Sequence, residues 1–167
     1  MTNSMRLLLL AVTLSLAACG FHLRGSNLKG IEFAFKSLYL KAPGETPFVA
    51  DLRRALYVNK VALTSTSDQS ELILEVVSEQ TSKQILSLSG SGRVQEYQLI
   101  YRVSLRVYDS KQVDWLPAEE IVLTRILAYD DAQVLAKEQE EAMLYRDMRS
   151  DAVAQAVRRL SRAKPQL

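Results

Sequence analysis

Between Tyr97 and Val107 the chain alternates. Tyr97, Leu99, Tyr101, Val103, Leu105 and Val107 hold the odd positions, and Gln98, Arg102, Ser104 and Arg106 stand between them. A period of two predicts a β-strand with one face on a core and the other in water or against a partner. Taken over residues 93–109 the strand spans on the order of 50 Å.

The flanking segments predict what lies around it. Residues 33–41, FAFKSLYLK, read as a first strand. Thr46 offers an N-cap, Pro47 suits the first helical position, and Phe48, Leu52, Ala55 and Leu56 share one face, so residues 47–58 read as a short amphipathic helix. Asn59 is its expected stop. Residues 71–77 begin a second strand that continues irregularly through 84–89. Gly90, Ser91 and Gly92 then form a hairpin tip. A loop over 109–118, with Trp115 and Pro117, precedes a fourth strand near 119–129. The last element is a helix over about 131–161, capped by Asp130 or Asp131. Its expected apolar stripe is Leu135, Ala142, Tyr145, Met148, Ala152, Ala156 and Leu160. The expected fold class is a two-layer α/β sandwich of order β-α-β-β-β-α: two helices on one face of a mostly antiparallel four-stranded sheet.

The start of the chain has another character. Arg6 is followed by an uncharged run, residues 7–18, and then Leu16-Ala17-Ala18-Cys19. The run is shorter than the roughly 20 residues of a membrane-spanning helix and reads as an export signal. Its end resembles the lipobox of bacterial lipoproteins, in which the cysteine is acylated after the signal is removed. Residues 1–18 are thus an expected signal peptide and Cys19 the lipidation site. Residues 19–32 are a lipidated tether, and residues 33–167 a single domain. Gly20 stands where lipoproteins retained in the inner membrane have Asp, so the outer membrane is the expected location.

Composition narrows the function. One Cys and one His in 167 residues leave no material for a cysteine zinc site or a His-rich metal centre, so no cofactor is expected. His22 falls in the tether, far from any Ser–Asp pair. Gly90-Ser91-Gly92-Arg93-Val94-Gln95 lacks the third glycine of a dinucleotide loop and precedes a strand where that loop would precede a helix. Catalysis is therefore not expected. A net charge of +2 gives no reason to expect nucleic acid. Without Arg6 the balance is 20 basic to 19 acidic residues, that is +1. Any anionic ligand would be held by a few placed cations. Arg102 and Arg106 share one face of the long strand, and Arg93 sits at the loop edge.

Several stretches together resemble the LptE family of lipopolysaccharide-assembly lipoproteins. They are Cys19-Gly20-Phe21-His22-Leu23-Arg24, Gln95-Glu96-Tyr97-Gln98-Leu99, Leu135-Ala136-Lys137-Glu138, Met148-Arg149-Ser150-Asp151-Ala152 and Arg158-Arg159-Leu160, in the same order as in the family. The resemblance implies a lipid-anchored outer-membrane protein that plugs the lumen of the β-barrel LptD and assists its assembly. It also implies lipopolysaccharide binding and insertion of that lipid into the outer leaflet, without catalysis. Two basic positions carry the binding in the family. Lys137 matches the helix lysine. The loop arginine aligns with Gly90, and the nearest arginine is Arg93. The same lipobox and size also fit an accessory or activator lipoprotein of another envelope complex.

Overall fold

The computed structural model describes residues 32–165. Cys19, His22 and the expected signal peptide lie outside the described residues. The elements are β1 (Ser37–Lys41), α1 (Pro47–Val58), β2 (Ala62–Leu63), β3 (Leu72–Leu88), β4 (Val94–Asp109), β5 (Asp114–Ala128) and α2 (Val134–Leu160). Short 3-10 turns lie at Ser67–Gln69 and Asp131–Gln133.

The sheet has five strands in the order β2-β1-β3-β4-β5. This corrects the four-stranded, mostly antiparallel expectation. β1 runs parallel to both β2 and β3, and only the β3–β4 and β4–β5 pairs are antiparallel. The additional strand, β2, is two residues long, too short for a period-two pattern to mark it. The parallel pairing follows from connectivity, because α1 carries the chain back along the sheet after β1.

β4 is the spine. Leu99, Tyr101, Val103, Leu105 and Val107 are all buried. They join one core with Leu72, Leu74 and Val76 of β3, Ile121 and Leu127 of β5, and the inner faces of both helices. In α1 that face is Phe48, Val49, Leu52 and Leu56. Burying side chains of this size contributes roughly 1.5–3 kcal/mol each. The Thr46 hydroxyl accepts from Val49 N–H at 3.3 Å, and Pro47 opens the helix. Asn59 ends it, its Nδ2 donating to the Ala55 carbonyl at 2.8 Å.

β3 is one strand of 17 residues, broken in register at Val77 and again around Leu86. Each bulge adds an unpaired residue and exchanges the two faces. That hides the strand from a simple alternation test. β5 begins at Asp114, so the expected 109–118 loop shrinks to residues 110–113. Pro117 sits inside β5, where Leu105 pairs with Glu119 and Val107 with Leu116. A proline is tolerated there because β5 is an edge strand and the site is a bulge. Asp130 accepts from Ala132 N–H at 3.0 Å, so it caps the 3-10 turn that leads into α2 rather than α2 itself.

The core thins toward the hairpin end: it reaches Leu99 in β4 and Leu127 in β5 but stops at Val76 in β3. The buried residues of α2 are Met148, Ala152, Val153, Ala156, Val157 and Leu160, all in its second half. Leu135 is 76% exposed and Ala142 is also exposed, so the expected stripe does not reach the first half.

Candidate ligand and partner surface

Beyond Val77 the helix-side face of β3 carries Glu79, Thr81, Lys83 and Ile85, opposite Val103, Tyr101, Leu99 and Tyr97. Polar side chains thus occupy the places that Leu and Val hold lower down, and the first half of α2 meets them. Lys83 Nζ donates to Glu141 Oε2 at 2.6 Å. It stands 4.2 Å from the centre of the Tyr97 ring and 5.9 Å from that of Tyr129. The two rings meet edge to face at 5.1 Å. The hydrogen bond to Glu141 raises the Lys83 pKa, and the charge of Glu141 adds to the effect against a smaller loss from burial. Tyr145 donates to the Ser82 carbonyl at 2.9 Å. Lys83, Glu138, Glu141, Ala142 and Tyr145 line an open depression of about 430 Å³.

A polar latch lies where the helix-side face of β3 turns from apolar to polar. Tyr101 donates to Glu79 Oε1 at 2.6 Å, and the Thr46 hydroxyl donates to the other carboxylate oxygen. Thr46 therefore both caps α1 and ties it to β3. One step away Arg149 of α2 donates to Asp51 of α1 at 2.8 Å. Burial raises the Tyr101 phenol far above its ordinary value, and the bond to Glu79 raises it further.

Lys137 and Arg93 stand at this same end of the sheet. Tyr129 N–H donates to the Gln95 carbonyl at 2.8 Å, which brings the approach to α2 beside the start of β4. Arg93 closes the hairpin with its backbone, accepting from Ser89 N–H at 2.7 Å and donating to Ser89 Oγ at 3.1 Å. Its guanidinium is exposed and has no hydrogen-bond or ion-pair partner among the described residues. Lys137 is less accessible than the sequence suggests. Its side chain is 18% exposed, and Nζ donates to Glu140 at 2.9 Å. It lies four residues before Glu141, on the helix face that Lys83 meets. Among the described residues no hydrogen bond or ion pair joins Lys137 to Arg93.

Lys83 escaped the sequence reading because the Val77 bulge places it on the helix side, in a stretch of irregular pattern. The expected basic face fares differently. Arg102 pairs with Glu120 at 3.3 Å and Arg106 with Asp114 at 2.8 Å, so both cations are already neutralised. Lys41 is likewise bound to Glu75 at 2.8 Å. Around the polar end several large apolar side chains are exposed: Ile85 58%, Leu88 55%, Ile126 59% and Leu135 76%. No described helix is long and apolar enough to cross a membrane.

Comparison with known proteins adds a family. The lipopolysaccharide-assembly family LptE matches residues 35–160. The LPS-assembly lipoprotein LptE of Yersinia pestis is 27% identical over 160 residues, covering 92% of this chain and 73% of the relative. Among solved structures, lipoprotein B of Nitrosomonas europaea is similar with a TM-score of 0.73 and 42% identity, over 85% of this chain and 90% of that one. The rare lipoprotein B of Shewanella oneidensis is similar with a TM-score of 0.66 and 25% identity, over 74% and 92%.

Proposed function

This chain belongs to the LptE lipopolysaccharide-assembly family, and on that premise we propose that it is the lipid-anchored outer-membrane plug of a lipopolysaccharide-inserting β-barrel, LptD, and binds lipopolysaccharide itself. A role in lipopolysaccharide assembly, without catalysis, comes with the family. The plug and the binding residues are finer readings. One observation carries them: past the last buried residues of β3 and α2, Val76 and Met148, the helix-side layer turns to Lys83, Glu141 and tyrosines and is rimmed by exposed Ile85, Leu88 and Leu135. An isolated domain gains little from such a surface. Inside a wide barrel the same surface meets a polar lumen wall.

The chemistry of the ligand suits that end. Lipopolysaccharide carries phosphates and acyl chains. Arg93 offers a forked donor at an exposed turn, and Lys137 a second cation two elements away in the chain. Ile85, Leu86 and Leu88 offer apolar contact beside Arg93. Lys137 would exchange Glu140 for phosphate, a small change for a partly exposed pair. Acylation of Cys19 would hold the protein on the membrane, since each buried CH₂ contributes about 0.8 kcal/mol.

Co-purification tests the reading. The tagged chain should carry an outer-membrane β-barrel through stringent washing, and its depletion should halt delivery of lipopolysaccharide to the cell surface. Recovery without a barrel, or depletion that alters wall synthesis alone, would count against it. Cys19→Ala should yield unacylated protein; recovery of lipid on that variant would remove the anchor from the account.

A further inference from the structure

The end of the domain opposite Arg93 carries its own charge pattern. α1 and α2 both finish there, and the described chain enters there, since Ser37 pairs with Ala62 and Leu38 with Leu72 at the foot of the sheet. Lys60, Arg158, Arg162 and Lys164 are exposed at these helix ends, and none has a side-chain partner among the described residues. Arg159, between them, is already held by Glu119 at 3.2 Å. Tyr57 and Val58, in the last turn of α1, are 77% and 71% exposed. A groove of about 320 Å³ lined by Asn59 and Arg158 links the two helix ends.

Compensation of the α2 dipole accounts for part of this pattern. It favours Arg158 in the last turn, but the effect fades within a turn. Lys60 and Arg162 each stand two residues past a helix end, Lys60 at a positive φ of 61°, where the same compensation still acts weakly; it does not account for Lys164, nor for the exposed Tyr57 and Val58 beside these cations. The acids at this foot of the sheet lie with the strands. Asp109 accepts two N–H groups of its own turn, Glu71 accepts from the Lys36 N–H, and Asp68 sits in the turn after β2 beside Ser67. Glu32 is also exposed there, at the chain's entry. The helix layer is therefore the basic side.

We propose that this helix-end face, Tyr57, Val58, Lys60, Arg158, Arg162 and Lys164, docks on anionic phospholipid headgroups. Cations spread around an exposed tyrosine and valine match a headgroup layer: the charges meet phosphates while the two apolar side chains enter the boundary. Chain length agrees. Cys19 lies 13 residues before Glu32, a reach of at most about 45 Å. An acyl anchor there keeps this foot, rather than the Arg93 end, next to the bilayer. Only this orientation rests on the acylation reading; the charge match stands without it.

Vesicle sedimentation of the full chain carrying Cys19→Ala tests the proposal. Vesicles of phosphatidylcholine with one quarter phosphatidylglycerol are compared with phosphatidylcholine alone, at low salt and at 0.5 M salt. Each surface cation is worth roughly fivefold in partitioning. Arg158→Glu/Arg162→Glu should therefore lower binding to the anionic vesicles by at least about 25-fold. Arg54→Glu/Arg146→Glu, at exposed cations within α1 and α2 away from both this face and Arg93 and with the same change in net charge, should change it less than twofold. High salt should erase the preference for anionic lipid. If the glutamate pair unfolds the helix end, Arg158→Gln/Arg162→Gln should still lower binding severalfold with the thermal midpoint kept. Equal loss in both double variants, or equal binding to the two vesicle types, would overturn the proposal. Neither result bears on the barrel reading, which co-purification decides.

Discussion

The first five residues of β3 and the last eleven belong to one strand and do opposite work. Leu72, Leu74 and Val76 point into the core and are no more than 3% exposed. After the Val77 bulge the same face presents Glu79, Lys83 and Ile85. α2 divides the same way, with its buried residues confined to Met148 and beyond. The domain is thus built as a foot and an extension. Apolar burial stabilises the foot. The extension keeps apolar burial only on β4 and β5, as far as Leu99 and Leu127; on β3 and the first half of α2 it is held by ladder hydrogen bonds, a cation over a tyrosine ring and partly exposed ion pairs, each worth about 1 kcal/mol or less. A surface so little stabilised by its own packing suits a partner that covers it.

Leu74→Ala in the foot should cost about 2–5 kcal/mol of unfolding free energy, because it leaves a cavity under α1 and α2. Ile85→Ala on the same strand should stay within about 0.5 kcal/mol. Urea titration of the two variants decides; similar losses would mean that the extension has a core of its own.

Next comes the latch between the regions. Tyr101→Phe leaves Glu79 with Thr46 as its remaining partner and should cost about 1–1.5 kcal/mol. It also changes the pH profile. The ordinary phenol value is 10.0, and the folded state raises it. Over the range above pH 10 the folded protein keeps a proton that the unfolded chain releases, so stability is full below that pH and falls as pH rises. Lys41, Lys83 and Tyr145 are shifted in the same direction. Tyr101→Phe should thus reduce the alkaline slope by about one proton without abolishing it. An unchanged slope would place Tyr101 outside the latch.

Lys83→Met acts on the extension alone. It removes the bond to Glu141 and the contact with Tyr97, and stability should fall by about 1 kcal/mol or less. The effect should concentrate in faster amide exchange over the first half of α2, with the foot unaffected. Uniform exchange changes would contradict the division. A smaller stability effect than that of Lys83→Met is expected for Lys137→Asp, about 0.5 kcal/mol, since it exchanges an ion pair with Glu140 for a repulsion at the helix surface. Binding of lipopolysaccharide should nonetheless weaken severalfold. Equal binding by variant and parent would exclude Lys137 from the site.

The legible parts of the fold are those where one physical rule acts alone. Residues 47–58 form the helix that Thr46, Pro47 and the Phe48 stripe predict. The odd positions of β4 are buried as their alternation predicts. Where rules compete, the pattern misleads. The bulge at Val77 shifts parity and hides both the continuity of β3 and the role of Lys83. Pro117 looks like a loop residue until an edge strand and a bulge accommodate it. Leu135 fits the helical stripe, but no apolar partner stands under it, because β3 turns polar there. Among the site residues, Arg93 is as exposed as a hairpin tip suggests. Lys137 is more covered, since Glu140 one turn on draws its ammonium to the helix. The apparent basic face of Arg102 and Arg106 dissolves because Asp114 and Glu120 lie on the neighbouring strand, a pairing that only register reveals.

The central claim is that the extension is covered by a barrel and the foot is not. A photoreactive residue placed in living cells at Ile85, at Leu135 or at Tyr57 tests it most directly. The account predicts high-mass adducts with an outer-membrane β-barrel from Ile85 and Leu135, and none from Tyr57. Barrel adducts from Tyr57 alone, or no barrel adduct from either extension site, would contradict it.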